Sequence, residues 1–245
     1  MNRYTIGGVA FVVAESLPGL DTGGFADITI AASFTDGAPG RDRPAVLRVS
    51  GPGDLVGLID TAAMTCWLPD RYSEPTDRAW QLRQMAPVFS SVCERLVLHA
   101  SGVQTDAGAV GFIGESGVGK STLARSLSGI GCRIAGDDLM PVRFTPLPHT
   151  PVDGRLHPID GLFFLRRARI SWPAITSLGA IDALQLQISN GFGEHGDDDT
   201  WAFQFDAYHR LVAAVPHFNL VVPDDLEALE DSLSNLVVSM SSALR

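Results

Sequence analysis

Lysine is almost missing from this chain: among its 18 basic residues only Lys120 is a lysine, and the rest are arginines. Cysteine is also scarce. Cys66, Cys93 and Cys132 are odd in number and show no C-x-x-C spacing, which argues against a disulfide framework or a zinc site and makes buried reduced thiols the expectation. No run approaches the ~20 apolar residues of a membrane span. The amino-terminal "MNRYTIGGVAFVVAES" has too short an apolar core, and turns acidic too soon, for a signal peptide, so a cytoplasmic location is expected. Positive charge is in deficit as well. A net charge of −10 disfavours sequence-independent nucleic-acid binding, which needs basic patches to neutralise phosphates, and leaves room only for a local patch. What remains, 45% hydrophobic and 19% charged over 245 residues, is the composition of one large or two small globular domains.

The place where the lone lysine survives is informative. Lys120 closes "GESGVGKST", in which Gly114, Gly119, Lys120 and Ser121 complete G-x-x-x-x-G-K-[ST]. The apolar "AVGFI" before it reads as a strand and "TLARSL" after it as a helix. A loop so placed turns backbone N–H groups and a helix N-terminus toward phosphate oxygens. Lys120 then reaches the β- and γ-phosphates, and the Ser121 hydroxyl is available to Mg²⁺. An arginine fork does not fit the hole that a lysine ammonium fills, so an arginine-biased composition keeps its exception here. Residues Gly114, Glu115, Ser116, Gly117, Val118, Gly119, Lys120, Ser121 and Thr122 are therefore the expected set around a nucleotide's phosphates, with Glu115 a solvated loop side chain.

Residues 1–76 carry short β-like runs ("YTIGGVAFVVAE", "ADITIAASF", "AVLRVSG", "LVGLID", "MTCWLP") and form a β-rich amino-terminal region. Residues 35–44, "TDGAPGRDRP", read as a loop. From Asp77 the period becomes helical, with Trp80, Met85, Phe89, Val92 and Cys93, and Leu82 and Leu96 beside them, on an expected core face. "RLVLHASGV" reads as a strand, turned by "TDAG" into the strand of the phosphate loop, and "CRIAGDD" as a strand ending in two carboxylates. Because a strand following a βα unit returns to the same sheet edge, Asp137 and Asp138 are expected beside the loop. "PLPHTPVDGRLHP" looks irregular, "IDGLFFLRRARIS" a strand and turn, and 191–200, "GFGEHGDDDT", an acidic glycine-rich loop that is either solvated surface or a flap recruiting a basic acceptor. "FDAYHRLVAAV", "PHFNLVVP" and "DDLEALEDSLSNLVVSMSSAL" read as helix, strand and closing helix.

"LHASG", "GESGVGKST" and "AGDD", in that order, resemble the kinase domain of HPr kinase/phosphorylase and related bacterial kinases, several of them tied to peptide modification. The resemblance implies an α/β fold, a P-loop kinase core over residues 77–245 joined to the β-rich region. It implies ATP and Mg²⁺ as cofactors and phosphoryl transfer to a serine hydroxyl. Site residues it carries over are Asp137 as base, Asp138 with Ser121 as metal partners, Lys120, and His99. The histidine either meets the transferring phosphate and the aspartates or is a hydrogen-bonded core residue. A charge-neutralising arginine is expected among Arg166, Arg167 and Arg169, with Arg166 put first, while His157 and His209 are weaker candidates. The family's Glu-Ile-Arg-Gly signature is replaced here by "LHPIDGLFFL". The expected acceptor is accordingly not HPr but serine in a peptide or small protein, such as a lasso-type precursor peptide. Alternatives are a small-molecule kinase and a non-catalytic nucleotide-binding regulator. No membrane or nucleic-acid partner is expected, and homo-oligomer formation is left open.

Overall fold

The computed structural model describes residues 1–6, 9–13, 16–17, 28–34, 46–51, 54–60, 64–68, 74–92, 95–106, 108–191 and 198–245. The loop at 35–44 and most of the acidic stretch at 191–200 lie outside these. In chain order the elements are β1 (Asn2–Ile6), β2 (Val9–Val13), β3 (Ile28–Phe34), β4 (Val46–Gly51), β5 (Asp54–Asp60), β6 (Thr65–Leu68), α1 (Pro75–Val92), β7 (Leu96–Leu98), β8 (Ala100–Thr105) and β9 (Gly108–Ile113). They continue as α2 (Lys120–Gly129), β10 (Arg133–Gly136), β11 (Met140–Phe144), β12 (Pro148–Val152), β13 (Arg155–Ala168), β14 (Ala174–Ser177), α3 (Ala180–Ser189), α4 (Asp198–Ala214), β15 (His217–Pro223) and α5 (Leu226–Ala243). The protein is a mixed α/β chain. Among the described residues no helix is long and apolar enough to cross a membrane.

Two compact units arise. The first takes Met1–Val97 with Glu194–Gln204, the second Leu98–Gly193 with Phe205–Arg245. In the first, the short runs become a sheet in the order β1-β2-β3-β6-β5-β4, with β2-β3 and β3-β6 parallel and the remaining pairs antiparallel. Helix α1 packs on β1, β2 and β5, and Phe89 meets Phe11 edge to face at 5.6 Å. Leu82, Met85 and Phe89 are buried at the expected spacing, but Trp80 is 52% exposed, contrary to its place on the expected core face. The reason is angular. In an α-helix Trp80 lies about 200° from Leu82, so one apolar stripe cannot include both.

The second unit is built on β13. Its neighbours β9 and β15 are both parallel to it, and Leu162–Leu165 are buried without a break, as a strand covered on both faces requires. Alternation sends Phe163 and Leu165 into a core shared with Leu123 and Leu127 of α2 and Leu229, Leu233 and Leu236 of α5. Phe163 stacks on Phe218 at 5.0 Å. Phe164, on the opposite face, stacks on His217 at 6.0 Å, whose Nε2 lies 3.1 Å from Gln187 Nε2 of α3. Beyond β9 come β8 and then β10, each antiparallel to the strand before it. The expected turn at "TDAG" is the β8–β9 hairpin, with Thr105 opposite Gly108.

The stretch "PLPHTPVDGRLHP" is not irregular. It is the hairpin β12–β13, closed by Asp153 and Gly154 with φ of 48° and 76°. Asp-Gly is a strong two-residue turn signal, obscured here by the flanking prolines, which lack N–H donors but still occupy paired positions. Helix α4 begins at Asp198, seven residues before the "FDAYHRLVAAV" pattern.

Candidate active site

The apolar strand β9 ends at Ile113, and the chain must leave the sheet edge between buried neighbours. At Gly114 a Cβ would lie 2.9 Å from the Leu165 carbonyl oxygen, a contact only glycine avoids. Gly119, with φ of 104°, is the N-cap of α2 and offers no capping side chain. The first-turn N–H groups of α2 are therefore free of a side-chain cap, with no acidic residue beside them. Lys120 is 6% exposed; its Nζ donates to Gly114 O at 2.7 Å and Glu115 O at 3.1 Å. Burial lowers its pKa, and the negative charge of Asp138 opposes that fall. Glu115, Ser116 and Gly117 form the exposed rim of the loop, and Thr122 is exposed on α2.

The sheet order then delivers the carboxylates. Strand β8 pairs Ala100 with Ile113 on one side and Gly102 with Gly136 on the other, so His99 and Ser101 stand between the loop and the Asp137–Asp138 turn. Ser101 Oγ donates to Asp137 Oδ1 at 3.2 Å and lies 3.3 Å from Ser121 Oγ. Ser121 and Arg125 are four residues apart, hence on one face of α2. Arg125 donates from NH2 to Asp137 Oδ2 at 2.8 Å. Burial pushes the Asp137 carboxyl up, but hydrogen bonds from Ser121, Arg125 and Ser101, together with the Arg125 charge, outweigh it and hold the group below the usual carboxylate range.

Asp138 is placed differently. An isolated bridge between Asp137 and Leu139 tightens the turn, and Asp138 takes φ of 72°, in the left-handed region that few non-glycine residues enter. Its Oδ1 lies 3.3 Å from His99 Nε2.

Of the arginines, it is Arg167 that meets the loop. Its Nε donates to Val118 O at 2.9 Å, and its NH1 to Asp224 O at 3.4 Å. Arg166, next to it in an extended strand, projects to the opposite face. Arg169 pairs with Asp224 at 3.9 Å. His157 sits near the start of β13, bonded to Gln104 at 2.9 Å at the far end of the sheet, and His209 is exposed on α4. Residues that the sequence reading passed over are Ser101, Arg125 and the loop contact of Arg167. The first lay inside the quoted "LHASG", and the second was signalled by its i+4 spacing from Ser121.

The donors present suit a hard divalent cation on a phosphate chain. Ser121 Oγ and the ionised Asp137 carboxylate are oxygen ligands, and Mg²⁺ takes few protein ligands when phosphates and water supply the others. Among the described residues no group of three or more His, Cys, Asp or Glu side chains could hold a metal without such help.

No family model matches the chain, and comparison with curated proteins gives no match. Among solved structures it is similar to the Hpr(Ser) kinase/phosphatase from Coxiella burnetii, with 12% identity and a TM-score of 0.33, over 59% of this chain and 97% of that chain.

Proposed function

We propose that the protein is an ATP-dependent phosphotransferase of the HPr kinase-like type that moves the γ-phosphoryl group to a hydroxyl, with serine of a peptide or small protein as acceptor. The observation that carries this is the convergence of Lys120, Ser121, Asp137 and the His99–Asp138 pair at one sheet edge. A phosphate loop alone binds nucleotide. A second carboxylate, held off the first and beside a histidine, adds the means to handle a proton.

Roles follow from surroundings. Asp137, already surrounded by donors and ionised, is suited with Ser121 to hold Mg²⁺, which when bound would neutralise charge on the β- and γ-phosphates. Asp138, at 55% side-chain exposure, is open to solvent and so accessible to an incoming hydroxyl, which supports assigning it the acceptor side. It orients that hydroxyl and accepts its proton as the oxygen bonds to phosphorus and ADP leaves; His99 holds the carboxylate in place. This exchanges the roles expected for the two aspartates from sequence. Lys120 and Arg125 supply positive charge near the transferring group, and Arg167 braces the loop. The test is single-turnover transfer from γ-labelled ATP to a panel of serine peptides and hydroxylated small molecules. Label on a peptide serine supports the reading, label on a small molecule moves the acceptor class, and nucleotide binding with no transfer or hydrolysis makes the protein a regulator.

A further inference from the structure

The phosphate loop fixes one end of a nucleotide, and the groups around it set the direction of the other. Ser101, Ser121, Arg125 and Asp137 fill the flank of the loop on the β8 and β10 side. Those side chains occupy that flank, and the phosphotransferase reading assigns it to the acceptor, which leaves the nucleoside the opposite course, over the ends of β13 and β15. These strands are parallel to β9 or to its neighbour and finish at the same edge, where ligands of parallel sheets bind. Strands are ~4.8 Å apart, so β15 ends about 10 Å from β9.

The chain leaving β13 is tied down at this edge. Arg167 joins the loop to Asp224 through Val118 O and Asp224 O. Ala168 O accepts from Ile170 N at 2.9 Å and from Asp224 N at 3.0 Å. The chain rejoins the sheet at Ala174, opposite Val221. Between these ties lies Trp172, 60% exposed. An indole left in water costs the fold burial it would otherwise gain. Other exposed aromatics among the described residues, Trp80, Trp201 and Phe205, lie on α1 and α4, not in a segment that starts from this edge.

Building on the phosphotransferase reading, we propose that Trp172 is the platform on which the nucleotide base stacks, making residues 169–173 the base side of the ATP site. Stacking on an indole tolerates any base, so this contact supplies affinity without selecting adenine.

The experiment titrates wild type, W172A, W172F and K120A with Mg·ATP and with Mg·tripolyphosphate, which has the phosphates but no base, by calorimetry. W172A should weaken ATP about 5- to 100-fold, the range for loss of one base–aromatic stack, and leave tripolyphosphate within about twofold. W172F should recover most of the ATP affinity, which a merely structural role of the loop would not predict. Unchanged ATP affinity in W172A overturns the proposal, as does an equal loss for both ligands. K120A separates the two levels: if tripolyphosphate binds wild type but not K120A, the phosphate site stands whatever Trp172 does. If neither ligand binds wild type, the phosphate site and the stacking platform fall together.

Discussion

Replacing Asp138 by glycine should leave the fold about as stable as before while removing transfer, and replacing it by alanine should cost both. The left-handed φ of 72° costs an L-residue about 1–2 kcal/mol, with aspartate near the lower end because its side chain bonds locally. Glycine relieves that strain. Against the relief stand about 0.4–1 kcal/mol of extra unfolded-state entropy and at most about 0.5 kcal/mol for the half-exposed contact with His99. The terms nearly cancel, so D138G should melt within roughly 2 °C of wild type. Alanine keeps the strain, loses the contact and gains no local bond; it should fall about 1–1.5 kcal/mol below glycine, or ~2–6 °C in Tm. Asparagine, which tolerates this conformation, should melt like wild type. All three should lose about 10²-fold or more in turnover. Calorimetric melting beside single-turnover kinetics reads both quantities. An alanine variant that melts as high as the glycine variant would refute the strain account, and an asparagine variant with full turnover would refute the role of Asp138 as base.

Asp137→Asn should keep ATP affinity within a few-fold and raise the Mg²⁺ concentration needed for half-maximal rate, read from rates across a Mg²⁺ titration. If Mg²⁺ dependence is unchanged, the assignment of the two carboxylates reverts to the order expected from sequence. Lys120→Arg should lose transfer nearly as fully as Lys120→Ala, because the buried hole is lined by the Gly114 and Glu115 carbonyls, which one ammonium satisfies and a planar guanidinium does not. Retention of most activity by the arginine variant would remove the explanation for the chain's only lysine. His217 is buried, with Nδ1 2.7 Å from Val215 O, and burial depresses its pKa from 6.5 to about 4. The unfolded chain binds that proton first, so stability should fall by roughly 3 kcal/mol as pH drops from about 6.5 to about 4, measured by urea unfolding, and His217→Gln should flatten the slope.

Much of the glycine-loop half of the candidate site was legible because its signals are local. A strand, a glycine turn that no side chain permits, and a helix beginning at Lys120 are all written within one short window. The position of Asp137 and Asp138 followed from the return of the strand after one βα unit to the same sheet edge. Less legible was whatever depends on pairing between distant segments. β8 inserts between β9 and β10, and that insertion alone puts Ser101 beside Asp137 and His99 beside Asp138. Arg166 and Arg167 are equivalent in sequence, and only the register of β13 against β9 and β15 decides which one faces the loop. The β12–β13 hairpin was hidden by proline, and the exposed Trp80 by an apolar count taken without its angle.

The two aspartates show how adjacent residues come to differ. In a regular strand Asp137 and Asp138 would point to opposite faces, and only one could reach the phosphate loop. The left-handed turn at Asp138 breaks that alternation, so that Asp137 meets Ser101 and Arg125 while Asp138 meets His99 and acts on Lys120 through its charge. Hydrogen bonds from Ser121, Arg125 and Ser101 hold the Asp137 carboxylate in its anionic form, and the proposed reaction accordingly gives Asp137 the place of a permanent anion and Asp138 that of the proton acceptor. The strain of the turn is thus tied to the chemistry it permits. A glycine at 138 would relieve the strain at little net change in stability but supply no carboxylate, so under the proposed reaction only an acidic residue at this turn serves as proton acceptor.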